Sequence, residues 1–137
     1  MNNRWRQYFC TFAFFVVSIL ATGCEDHGTF QEAVQSTTTE LSVLIGEESP
    51  GHRNLATRLG KVAMEEREKL APEYCSLNWW GGSGSMADLI LKDRKRQHRQ
   101  LELLVSLVET FEGAGYDCPR ARQWVDTFKR WLKKGII

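Results

Sequence analysis

Leu101-Glu-Leu-Leu-Val-Ser-Leu-Val-Glu-Thr-Phe111 is the stretch that decides the fold. Leu101, Leu104, Val105, Val108 and Phe111 recur at three- and four-residue steps, which is the apolar stripe of an amphipathic helix. Gly113 or Gly115 should stop that helix, because glycine adopts the left-handed cap other residues avoid. Downstream, Asp117 is placed to cap the next helix and Pro119 lies in its first turn, where a missing N–H costs nothing. Trp124, Phe128 and Trp131 then follow at i, i+4 and i+7. Lys129, Arg130, Lys133 and Lys134 suit the negative end of that helix, and Gly135 closes it.

The same reading extends upstream. Phe30, Val34, Leu41, Leu44 and Ile45 lie near one helical face, with Thr29 and Glu32 spaced as a capping box. The serine–threonine run 36–39 weakens helix propensity there. Gly46 to Gly51 is a break. Leu55, Leu59, Val62, Ala63 and Leu70 predict a helix over 53–70, ended by Pro72. Residues 73–85 read as irregular. Ser85-Met86-Ala87-Asp88 has capping-box spacing, so a helix should start there with Leu89, Ile90 and Leu91 partly buried and continue or bend through 92–100. No segment alternates at period two for long enough to make a sheet. The expected fold is all-α: a small bundle of about four or five helices after an N-terminal signal or anchor helix.

Residues 1–24 decide compartment. Arg4 and Arg6 are the only charges before Glu25, and Tyr8 to Ala21 is an apolar run. That run is shorter than the roughly 20 residues a spanning helix needs and fits the core of an export signal. Ala21-Thr22-Gly23-Cys24 resembles the lipobox of bacterial lipoproteins, with Ala21 standing where an aliphatic residue is usual. The resemblance implies cleavage before Cys24 and acyl chains on its sulfur and amine, a membrane anchor facing the periplasm. Each buried CH₂ contributes roughly 0.8 kcal/mol to such an anchor. Ordinary cleavage, releasing a soluble protein, and an uncleaved anchor helix are the alternatives. The domain reading is a signal at 1–23, a tether at 24–28 and one helical domain at 29–137.

Cleavage takes residues 1–23 off the 137, leaving 114, and removes two arginines from 18 basic residues against 17 acidic ones, so net charge moves from +1 to −1. A near-neutral exported domain has no general drive toward nucleic acid. Cys10 goes with the signal and Cys24 is the lipid site. Cys75 and Cys118 remain as an even pair in an oxidising compartment. A bridge between them would close a loop of about 44 residues and stabilise by roughly 4 kcal/mol through loop-closure entropy. Two buried free thiols are the alternative. No Cys-x-x-Cys or His-x-x-x-His spacing suggests zinc, and no cofactor is expected.

Two stretches carry candidate chemistry. Trp79 and Trp80 precede Gly81-Gly82-Ser83-Gly84-Ser85, which is neither a nucleotide-binding loop nor a nucleophile elbow. The segment reads as a tight turn that lets the tryptophans cover the helix ends, with a binding surface as the alternative. Residues 82–89 are similar to a Gly-x-Gly-Ser-x-x-Asp-Leu stretch of small bacterial helical domains, which implies a helical domain and no catalytic residue. Lys92, Arg94, Lys95, Arg96, His98 and Arg99 form a basic run, read either as a solvated face or as a surface for an acidic partner or lipid headgroups. The best-placed contact residues are Trp79, Trp80, Met86, Lys92, Arg94, Lys95, Arg96 and Arg99. The leading function is a non-catalytic, membrane-anchored protein-binding lipoprotein, such as an immunity or envelope accessory protein. The alternatives are a headgroup-binding protein and a small envelope hydrolase, the latter requiring Asp88, His98 or Glu65 to converge.

Overall fold

The structure is a computed structural model and describes residues 27–48, 50–81 and 85–136. The expected signal and Cys24 lie outside the described residues. Among the described residues the fold is all-α. Its helices are α1 (His27–Gly46), α2 (Arg53–Val62), α3 (Arg67–Tyr74), α4 (Leu77–Trp80), α5 (Arg94–Gly113) and α6 (Pro119–Lys134), with a 3₁₀ turn at Pro50–His52. No described helix is long and apolar enough to cross a membrane.

α5 is the central rod, packed against α1 on one side and α6 on the other. Leu101, Leu104, Val108 and Phe111 are buried as the stripe requires, and Leu103 and Leu107 widen the buried arc because two helices flank it. α1 presents Phe30, Val34, Leu41 and Ile45, and its threonine run is accommodated where Thr38 fills the same stripe. Buried Tyr74 donates its hydroxyl hydrogen to Thr38 Oγ1 at 2.8 Å, so both polar atoms are satisfied without water. The Phe30, Tyr74 and Trp79 rings continue this contact around Phe111 and each other, at centroid separations of 5.4–5.6 Å. α1 starts at His27, two residues before the expected Thr29 cap.

The expected helix over 53–70 is two helices. A continuous helix would bring Glu66 or Arg67 onto the face that carries Leu59, Ala63, Leu70 and Tyr74. The chain instead turns tightly at 63–66, where the Glu65 carbonyl accepts from Gln31 Nε2 at 2.9 Å. Pro72 does not end the segment but sits inside α3. It lies on the exposed side, where the carbonyl it leaves unpartnered can be hydrated.

Helix ends follow chemistry closely. Gly115 (φ +87°) follows α5, and Gly135 (φ +60°) caps α6 in the left-handed region. The N-cap of α6 is Cys118 rather than Asp117, with Pro119 in the first turn. Cys118 is bridged to Cys75, with Cα atoms 4.8 Å apart, an ordinary disulfide separation. The bridge ties the end of α3 to the start of α6. Beside it, the Trp124 indole N–H donates to the Trp80 carbonyl, which fastens α4 to α6.

Candidate binding cleft

Residues 85–93 are not the helix that the Ser85–Asp88 spacing predicts. Asp88 N–H bonds back to the Ser85 carbonyl in a single turn. The helix start is at Asp93, whose side chain accepts from Arg96 N–H at 2.8 Å. Two buried glutamines of α5 explain the difference. Gln97 Oε1 accepts from Leu91 N–H, and Gln97 Nε2 donates to Gln100 Oε1 at 3.1 Å. Gln100 Nε2 in turn faces the carbonyls of Met86 and Leu89 at 3.5 and 3.4 Å. Side-chain amides therefore satisfy backbone groups that a helix would have paired internally.

This strapped loop forms one wall of a cleft of about 640 Å³. Its apolar lining comes from Leu89, Ile90 and Leu91 on the loop, Leu101 on α5, Trp124 and Trp131 on α6, and Ile136 beyond it. Ile90 is 80% exposed and Ile136 60% exposed, while both tryptophans are half-buried. Lys92 and Arg94 stand at the same cleft. Arg94 Nη2 donates to the Gly135 carbonyl at 2.8 Å, which joins the start of α5 to the end of α6. The buried seam of α6 runs through Ala121, Val125 and Phe128, so Trp124 and Trp131 fall to its cleft side rather than into the core centre.

Trp79, Trp80 and Met86, expected on a contact surface, are 0%, 2% and 1% exposed. The reason is local satisfaction: Trp79 Nε1 donates to Glu73 Oε1 at 2.8 Å and Trp80 Nε1 to the Tyr74 carbonyl, so both rings can be buried whole. The basic run divides as well. Arg96 reaches Glu47 at 3.1 Å, and Arg99 holds Glu40 with two nitrogens at 2.6 and 2.8 Å, fastening α5 to α1. Its hydrogen bond with Arg99 holds the Glu40 carboxyl below its usual range, and the same bond raises the Arg99 guanidinium. Lys92, Arg94 and Lys95 form no ion pair among the described residues and are exposed.

Asp88, His98 and Glu65 are not gathered into one site. Asp88 lines the cleft, His98 faces Glu102 at 3.6 Å along α5, and Glu65 faces Lys69 at 3.7 Å. Among the described residues no group of three or more His, Cys, Asp or Glu is placed to hold a metal. Sequence reasoning missed Trp124, Trp131, Ile136 and Ile90 as a site. The available signal was Leu89-Ile90-Leu91, three consecutive apolar residues that cannot all face one core. No known protein family, curated protein or solved structure matches the chain.

Proposed function

We propose that the chain is an exported lipoprotein of the bacterial envelope, anchored through Cys24, whose helical domain binds a protein partner and performs no catalysis. The lipobox-like Ala21-Thr22-Gly23-Cys24 supports the anchor. The observation that carries the binding reading is the cleft, where a large isoleucine is left four-fifths exposed in a lining that also holds two half-buried tryptophans, Lys92 and Arg94. Exposed apolar surface with polar edges is the composition of a partner site.

The binding reading is tested in producing cells by placing a photo-crosslinking residue at position 90 of the full chain. Position 64 serves as control, since Met64 is equally exposed but does not line the cleft. A discrete protein adduct from position 90, absent from position 64, is expected. No protein adduct from position 90, or equal adducts from both, would overturn the reading. The anchor is tested by palmitate labelling, which Cys24→Ala should abolish. Labelling that is absent from the wild type or retained in the variant would refute the anchor.

A further inference from the structure

Two further depressions adjoin the cleft. One, of about 510 Å³, shares Asp88, Leu89 and Ile90 with it and adds His52, Asn54 and Arg58. The other, of about 370 Å³, shares Trp124 and adds Arg120, Gln123 and Thr127. The shared residues join the three into one track, with Ile90 at one junction and Trp124 at the other.

Charge along the track is one-sided. Each depression carries one arginine: Arg58, Arg94 and Arg120. None of the three is ion-paired to a carboxylate among the described residues. Arg58 lies over the Trp79 ring at 4.6 Å, and Arg94 bonds a backbone carbonyl. Off the track, Arg96, Arg99 and Arg122 hold Glu47, Glu40 and Glu112. The described lining holds Lys92 and three arginines against one carboxylate, Asp88. Guanidinium groups without a carboxylate, flanking an apolar centre, complement a chain that alternates acidic and apolar side chains.

We infer that this track takes an acidic linear segment of the partner protein. An aromatic or branched aliphatic side chain of that segment enters between Ile90 and Trp124, and its carboxylates meet Arg58, Arg94 and Arg120. The inference rests on the protein-binding reading of the same cleft. A linear segment fits better than an acyl chain, because the apolar wall does not continue. Asn54 and His52 border one side, Gln123 and Thr127 the other. A hydrocarbon tail would strip water from the Asn54 and Gln123 amides without replacing it, whereas a peptide backbone supplies partners for them.

The test is selection of random dodecapeptides on a display library against detergent-purified full-length protein. Selected peptides should carry one large apolar residue flanked by Asp or Glu, and Ile90→Asp should abolish their binding. Arg120→Glu, at an exposed position, and Arg58→Glu should each weaken binding by about tenfold, as should raising salt. Thermal melts verify that each variant is folded. Peptides lost with Ile90→Asp but rich in neutral or basic residues, and indifferent to charge reversal and salt, would overturn the acidic inference while leaving the protein-binding reading standing. No peptide distinguishing wild type from Ile90→Asp, together with binding of phosphatidylglycerol vesicles that Ile90→Asp abolishes, would overturn both.

Discussion

Replacing Gln97 by leucine tests how the cleft wall is held. Leucine keeps comparable bulk but removes both amide functions. Gln97 is buried, as are Leu91 and Gln100. The substitution therefore orphans two buried groups: Leu91 N–H, which donates to Gln97 Oε1, and Gln100 Oε1, which accepts from Gln97 Nε2. Each orphan costs about 1–3 kcal/mol, and the added apolar burial offsets part of that. A net loss of about 2–3 kcal/mol is expected, equivalent to a fall of roughly 10 °C in Tm for a domain of this size. The assay pairs thermal melts with amide exchange read residue by residue by NMR. Leu91 N–H should lose its protection while the central amides of α5 and α6 exchange slowly in both proteins. A Tm within about 2 °C of wild type, with Leu91 still protected, would refute the reasoning.

Burial pushes the Tyr74 phenol up to about 12 against an ordinary value of 10, partly opposed by its bond to Thr38. Burial penalises the phenolate and raises its folded-state value, so stability is insensitive to this group below pH 10 and falls between pH 10 and 12, by about 3 kcal/mol in all at 1.36 kcal/mol per unit. Tyr74→Phe should cost about 1 kcal/mol at pH 8 and show a shallower alkaline decline; denaturant midpoints at pH 8 and 11 that move in parallel would contradict this. Reduction of Cys75–Cys118 should remove about 4 kcal/mol, with peptide mapping under non-reducing conditions showing the cross-link, and an unchanged midpoint on reduction would count against it. Ile90→Asp should leave stability within about 0.5 kcal/mol, since the side chain is already in water; a large loss would mean Ile90 belongs to the core.

The parts of the fold legible in the sequence are those where local chemistry acts alone. The stripe from Leu101 to Phe111, Gly115 and Gly135, and Pro119 each do in the structure what their chemistry implies. The Cys75–Cys118 pair was legible by arithmetic, as the two cysteines left once Cys10 and Cys24 are set aside with the N-terminal segment. What failed was overridden from a distance. The Ser85–Asp88 capping box lost to glutamines twelve and fifteen residues further on, whose burial nothing local announced. Trp79 and Trp80 were open to two readings, covers for the helix ends or contact surface, and the choice lay with Glu73 and the Tyr74 carbonyl, which satisfy their indoles and let them sink. Arg96 and Arg99 read as a free patch because the glutamates that hold them lie in another helix and the turn after it. The cleft itself joins a loop to the last helix and was not visible to any periodicity.

Indole shifts in a ¹H–¹⁵N spectrum test the binding account most directly. The full-length protein is titrated with an acidic peptide recovered from the display selection. The Trp124 and Trp131 indole signals should move together with the Ile90 amide, saturably, while the amide of Leu41 on α1, which lines none of the three depressions, stays in place. Shifts confined to residues outside the track, with Trp124 and Trp131 unmoved at saturation, would contradict the account.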